Sequence, residues 1–212
     1  MYPSATSSSR RSSAVAALAP ATARLAVRHH RGARAALILL AVLLAAVPAA
    51  AQGVVTQEEA LRLAFPGASV ERRTAYLDEA QLREARRGAG PGVEVKQRVV
   101  TYYVASKDGR PQGAAYFDAH RVRTLGEVLM LVVDPEARVQ RIEVLRFAEP
   151  PEYRASQRWL EQFTGEGLAP ELSLRKGIVN MTGATLTANA VTQAARRVLA
   201  LHSVIRPFEA AR

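Results

Sequence analysis

At 212 residues the chain is long enough for one ordinary domain plus a targeting segment, and 49% hydrophobic with 23% charged residues is the balance of a folded globular protein. The net charge of +10 does not point to nucleic acid: six of the 29 basic residues, all arginine, fall within residues 1–51, which contain no acid, and the other 23 are interspersed with 19 acidic ones. The absence of cysteine excludes disulfides, thiolate metal sites, iron–sulfur clusters and c-type haem attachment, and four histidines without ligand-spaced partners give no metal pattern.

The chain opens with an arginine-bearing stretch, and every residue from Ala35 to Val47 is apolar. Pro48-Ala49-Ala50-Ala51 follows, with Ala49 and Ala51 fitting an A-x-A cleavage pattern. The run is shorter than the roughly 20 residues a spanning helix needs, so residues 1–51 read as a signal peptide, an uncleaved anchor being the alternative. The domain itself is expected at 52–212 and outside the cytoplasm, in the periplasm or on the outer face of the membrane.

Thr56-Gln57-Glu58-Glu59 is a capping-box sequence, and Ala60, Leu61, Ala64 and Phe65 form one face of the helix it starts; Pro66-Gly67 stops it. A second helix is predicted from Asp78 to Arg87, ended by Gly88-Ala89-Gly90-Pro91-Gly92. Val93 to Ala105, the turn Lys107-Asp108-Gly109-Arg110, and Gly113 to Val122 then read as a hairpin. Glu127 to Val133 and Val139 to Phe147, joined by Asp134-Pro135-Glu136, form a second strand pair, the last strand with imperfect alternation. After Pro150-Pro151, Ser156 to Phe163 is a short helix, Gly165 to Gly177 a loop with room for a strand, and Leu186 to Ile205 the final helix. On that helix Val191, Ala194, Ala195, Val198 and Leu199 make an apolar stripe, with Gln193, Arg196 and Arg197 expected to face water. The fold class is α+β: an antiparallel sheet of hairpins with flanking helices and a C-terminal helix.

One segment carries chemistry. Thr182-Gly183-Ala184-Thr185-Leu186-Thr187 leads directly into the final helix. Small residues let a ligand approach the backbone, Gly183 permits a positive φ, and the unpaired first N–H groups with the helix dipole favour an anion such as phosphate. The same pattern also reads as a plain turn with Thr185 or Thr187 capping the helix.

Residues Val179-Asn180-Met181-Thr182-Gly183-Ala184-Thr185-Leu186-Thr187 resemble the Asp-x-x-[Ser/Thr]-Gly-Ala-[Thr/Ser]-x-[Thr/Ser] pattern of the FMN-binding domain family. That family is found in the C subunit of the sodium-pumping NADH:quinone reductase and the G subunit of Rnf-type complexes. Trp159-Leu160-Glu161-Gln162-Phe163-Thr164-Gly165 is similar to its W-x-x-Q-F-x-G segment, and Phe147 to Tyr153 stands where the family has His-Glu-Thr-Pro-Gly, matching at Glu149. The resemblance spans roughly Val99 to Leu201. It departs at Val179, where the family has Asp.

The resemblance implies an FMN cofactor esterified through its phosphate to Thr185, with Thr182, Gly183, Ala184 and Thr187 around it. It implies an electron-transfer flavoprotein rather than a stand-alone enzyme, matured by an ApbE-type flavin transferase that uses FAD and magnesium, and exchanging electrons with membrane or periplasmic redox partners. Trp159, Tyr153 and Tyr116 are the aromatic residues available to stack on a ring, each equally suited to the core or the surface. No catalytic constellation is evident. Two other readings stay open. A non-covalent flavin-dependent reductase of a small oxidant would use the cluster of His120, Arg121 and Arg123. A flavin-free exported binding module would leave residues 182–187 as a capped turn.

Overall fold

The computed structural model describes residues 55–209, so the signal segment read at 1–51 lies outside the described residues. Helix α1 (Gln57–Ala64) begins where expected, the Thr56 Oγ1 accepting the Glu59 N–H at 3.2 Å. The complete reciprocal capping box forms instead at α2 (Glu79–Ala89), where Asp78 and Gln81 bond each other's backbone N–H groups.

Five strands form one antiparallel sheet in sequential order: β1 (Ser69–Tyr76), β2 (Val99–Lys107), β3 (Arg110–Arg121), β4 (Gly126–Val133) and β5 (Val139–Phe147). The two predicted strand pairs are therefore continuous, and the class is α+β. β1 was not expected. Its sequence SVERRTAY alternates no apolar residues, because it is an edge strand, mostly exposed and carrying Glu71, Arg72 and Arg73. The first hairpin strand starts at Val99 rather than Val93, residues 93–98 being irregular.

Both faces of the sheet are covered, which explains the unbroken apolar run in β4. Leu129, Leu131 and Val133 point to one side and join Val104 and Ala114 under α2 and the long C-terminal helix α4 (Thr185–Ile205). Met130 and Val132 point to the other and pack with Ala105, Ala115 and Phe65 under α1. The irregular alternation of β5 also has a cause. Two register shifts against β4 let Val139, Ile142 and Val144 pair with Val133, Leu131 and Leu129, so the core-facing positions step by three and then by two. Between β5 and α4 lie a 3₁₀ turn (Pro151–Tyr153), the short helix α3 (Gln157–Leu160) and a second 3₁₀ turn (Glu161–Phe163).

The expectation that Arg196 and Arg197 face water is wrong. Arg196 is half-buried and donates to the carbonyl oxygens of Ala89, Ala169 and Leu172 at 2.7–3.0 Å, tying the loop after β5 to the end of α2. Arg197 is buried and grips Asp118 of β3 with two bonds of 2.7 Å, from Nε to Oδ2 and from Nη2 to Oδ1. The sequence periodicity put these arginines on the polar side of the stripe, but α4 is wrapped on several sides and its polar side finds protein.

Asp118 also meets His120 Nδ1 at 2.8 Å, and His120 Nε2 meets the fully buried Glu127 at 3.0 Å. Burial alone would push the His120 pKa down, but its bonds to Asp118 and Glu127, and their charges, lift it from 6.5 to about 9. An imidazolium there balances two buried carboxylates against Arg197 and itself. The unfolded chain gives up this proton near pH 6.5 and the folded one near 9, so the stabilisation is complete below pH 6.5 and is lost as the pH rises through 9. The buried His202, driven to about 4 by burial, acts only below pH 6.5. Urea unfolding between pH 6.5 and 9.5 is expected to show declining stability that His120→Gln flattens. Arg197→Met, which strands the Asp118 charge, is expected to cost about 3–5 kcal/mol.

Candidate functional site

Three pieces of chain meet at the N-terminus of α4. The first is the β3–β4 connection at residues 122–125. Glu149, just past β5, accepts the N–H groups of Leu125 and Thr124 at 2.7 Å each and the Thr124 hydroxyl at 3.3 Å. Those backbone bonds hold the Glu149 carboxyl below the usual carboxylate range and commit it to shaping the connection. The second piece is the turn carrying Tyr153. The third is the segment 179–184, whose position is set from outside itself.

Trp159 Nε1 donates to the Val179 carbonyl at 2.8 Å, and the Val179 N–H donates to Gln162 Oε1 at 2.9 Å. Gln162 Nε2 in turn donates to the Trp159 carbonyl at 3.1 Å. The W-x-x-Q spacing thus places two side chains on one short helical stretch so that both clamp one residue's backbone. Trp159 is spent on this clamp and on an edge-to-face contact with Phe163, and Tyr116 is buried against Tyr102 and His202. Neither is free to stack on a ligand. Tyr153, at 38% exposure, is the aromatic residue that borders the site.

Beyond the clamp, Asn180 Nδ2 donates to the Thr185 Oγ1 at 3.2 Å while its Oδ1 accepts the Met181 N–H. Gly183 takes φ +80°, and a Cβ built on it would meet nothing within 4 Å. Thr185 is then the first helical residue, with its side chain exposed. The alternative of a threonine cap fails here. Ala184 stands at the cap position with no side-chain bond, and the first helical bond runs from the Ala188 N–H to the Ala184 carbonyl. Among the described residues, the N–H groups of Thr185, Leu186 and Thr187 have no backbone acceptor.

These pieces enclose a cavity of about 290 Å³ lined by Val122, Arg123, Glu149, Tyr153 and residues 183–187. Gly183, Ala184, Thr185 and Thr187 all border it, whereas Thr182 is exposed and does not line it. Thr187 is 1% exposed and its Oγ1 has no hydrogen-bond partner among the described residues. The cluster His120, Arg121 and Arg123 is split. His120 is committed to Asp118 and Glu127, and with Arg121 it lines a neighbouring cavity of about 440 Å³, while Arg123 lines the one at Thr185. The clamp on Val179 and the Asn180–Thr185 bond were not foreseen; the W-x-x-Q spacing and the motif that begins at Val179 were their sequence signals.

The model of the FMN-binding domain family matches residues 127–200, a span that runs from β4 through the Trp159–Gln162 clamp and into α4. Among solved structures, the crystal structure of Shewanella oneidensis NqrC is similar at 13% identity with a TM-score of 0.47, over 72% of this chain and 91% of that one. No curated protein matches the chain. The match to the FMN-binding domain model over residues 127–200 supports FMN as the cofactor. The residues at the helix end fit that group: open N–H groups, an orphaned buried hydroxyl and a turn without side-chain bulk are what a phosphate needs. No helix among the described residues is long and apolar enough to cross a membrane.

Gln162→Ala removes the acceptor of the Val179 N–H. Hydrogen–deuterium exchange at Val179 is expected to speed up about tenfold, with the amides of Leu129 and Leu131 in the sheet unchanged.

Proposed function

We propose that this chain is an exported flavoprotein that carries electrons outside the cytoplasmic membrane, with FMN joined as a phosphoester to Thr185 Oγ1. The observation that carries the reading is the place of Thr185 within the FMN-matched span. It is the first residue of an uncapped helix, its hydroxyl is exposed and held by Asn180, and it borders a cavity whose buried Thr187 hydroxyl has no partner. The arginine-preceded apolar run Ala35–Val47 supports export.

Attachment would proceed by attack of Thr185 Oγ1 on the FMN-side phosphorus of FAD, bound with magnesium to an ApbE-type transferase. The Oγ1–P bond forms, the bond from that phosphorus to the bridging oxygen breaks, AMP leaves, and a base of the transferase takes the hydroxyl proton. Asn180 orients the threonine oxygen by donating to it, which leaves the hydroxyl hydrogen free to depart. Once bound, FMN supplies the electron-transfer chemistry, and the protein supplies binding, orientation and electrostatics. A covalent link suits a compartment where a dissociated cofactor would be lost. The 153-centred turn and Leu186 give the site an apolar border on which a flavin ring can rest.

The test is the intact mass of the exported protein produced together with a flavin transferase. Wild type is expected to gain the mass of FMN less water and to fluoresce on a denaturing gel. Thr185→Val is expected to do neither, and an unmodified wild type would overturn the covalent assignment. Asn180→Ala keeps the nucleophile but loses its hydrogen bond, so adduct formation should slow roughly fivefold, in keeping with one neutral hydrogen bond of about 1 kcal/mol.

A further inference from the structure

The cavity at Thr185 contains two charged side chains, and they are not equivalent. Glu149 is committed to the N–H groups of Thr124 and Leu125. Arg123, on the same connection, lines this cavity together with the first residues of α4, and its guanidinium makes no hydrogen bond or ion pair among the described residues. An anion entering beside the Glu149 carboxylate needs a counter-charge, and Arg123 is the cation the cavity offers.

Thr187 supplies the second, independent observation. Elsewhere on the same helix Thr192 satisfies its hydroxyl internally, Oγ1 donating to the Ala188 carbonyl at 2.7 Å. Thr187 lacks that outlet, because four residues back stands Gly183 with its positive φ, outside the helix. Its Oγ1 is buried and without a partner among the described residues, and Thr187 is one of the residues that line the cavity. Burying a hydroxyl without a partner is unfavourable, and a ligand oxygen is the partner this position lacks.

We infer that Arg123, the Thr187 hydroxyl and the open N–H groups of α4 form an oxyanion pocket that holds the flavin's phosphate whether or not the bond to Thr185 is made. This rests on FMN occupying the cavity, but not on covalent attachment. Arg123 is its charge-bearing positioning residue, and it makes the site select a phosphorylated flavin over riboflavin. One guanidinium matches the single negative charge of a phosphodiester, and the helix end takes up the additional charge of a free FMN phosphate.

The experiment uses Thr185→Val, which cannot form the ester, and titrates it with FMN, riboflavin and inorganic phosphate, following flavin fluorescence. FMN is expected to bind at least tenfold tighter than riboflavin, and phosphate to displace FMN but not riboflavin. Adding Arg123→Gln should weaken FMN about 10- to 100-fold, the range for a charge-assisted hydrogen bond, with riboflavin unchanged and Arg123→Lys recovering part of the loss. Thr187→Val should weaken FMN about tenfold. In flavinylated wild-type protein, Arg123→Gln should also move the phosphorus-31 resonance of the ester. Equal affinity for FMN and riboflavin, or an Arg123→Gln effect that is the same on both, would overturn the pocket while leaving the flavin reading intact. No binding of either flavin, together with no adduct on the wild type, would overturn the flavin reading itself and this inference with it.

Discussion

The buried pairing of Arg197 with Asp118 fixes where the functional end of this molecule sits. A long helix lying on a sheet through alanines and valines has little to stop it sliding by a turn. The α4 stripe of Val191, Ala194, Ala195 and Val198 is smooth and repetitive. A bidentate guanidinium–carboxylate pair does not slide: both bonds are 2.7 Å, and a displacement of one residue would strand two buried charges. Thr185 lies twelve residues before Arg197, about 18 Å along the helix axis at 1.5 Å per residue. The pair therefore registers the helix N-terminus against the β3–β4 connection, and with it Thr185 and Thr187 against Arg123. Such a pair need not stabilise more than apolar residues of the same shape. What it contributes here is a single alignment, extended by His120 to Glu127 at the start of β4.

The other end of the site is held by a different principle. Val179 is grasped by Trp159 and Gln162 through its carbonyl and its N–H, so any residue type but proline at 179 satisfies the clamp. The Val179 side chain is 71% exposed. The fold is therefore indifferent to the replacement of the family's Asp by Val at this position. Within the chain the nearest polar support for Thr185 comes from Asn180, one residue later.

Much of the fold could be read from the residues, because its signals are local. The caps at Thr56 and Asp78, the breaks at Pro66-Gly67 and Pro150-Pro151, and the β-rich runs around Asp108-Gly109 each act over a few positions. β1 escaped because an exposed edge strand needs no apolar alternation, and its charges serve to keep the edge from pairing with another chain. The Asp118–Arg197 pair escaped because its partners are 79 positions apart, and nothing local distinguishes a guanidinium in water from one on a buried carboxylate. The motif singled out residues 182–187, and the structure puts Thr185 at the start of α4. Arg123 appeared in the sequence as one cation of a cluster, and only the fold separates it from His120 and Arg121.

The end of α4 departs from the rule its neighbours follow. Thr56, Asp78 and Ser156 each place an oxygen on the first turn of the helix they precede, at α1, α2 and α3. The longest helix of the described chain begins at Ala184 with no side-chain cap, although threonines stand on either side. Thr185 is already inside the helix, where its hydroxyl cannot reach back to its own first N–H groups, and Thr187, which also borders the cavity, has a buried hydroxyl without a partner among the described residues. A helix needs some acceptor at this end, and a phosphate oxygen is a better one than a threonine. Sequence reasoning that asks only which residue caps the helix chooses Thr185 or Thr187 and explains neither the orphaned hydroxyl nor the bare turn at Gly183. If a phosphate oxygen is the acceptor at this end, both follow: the small residues clear its approach, and the hydroxyl that the helix leaves unpaired gains a partner.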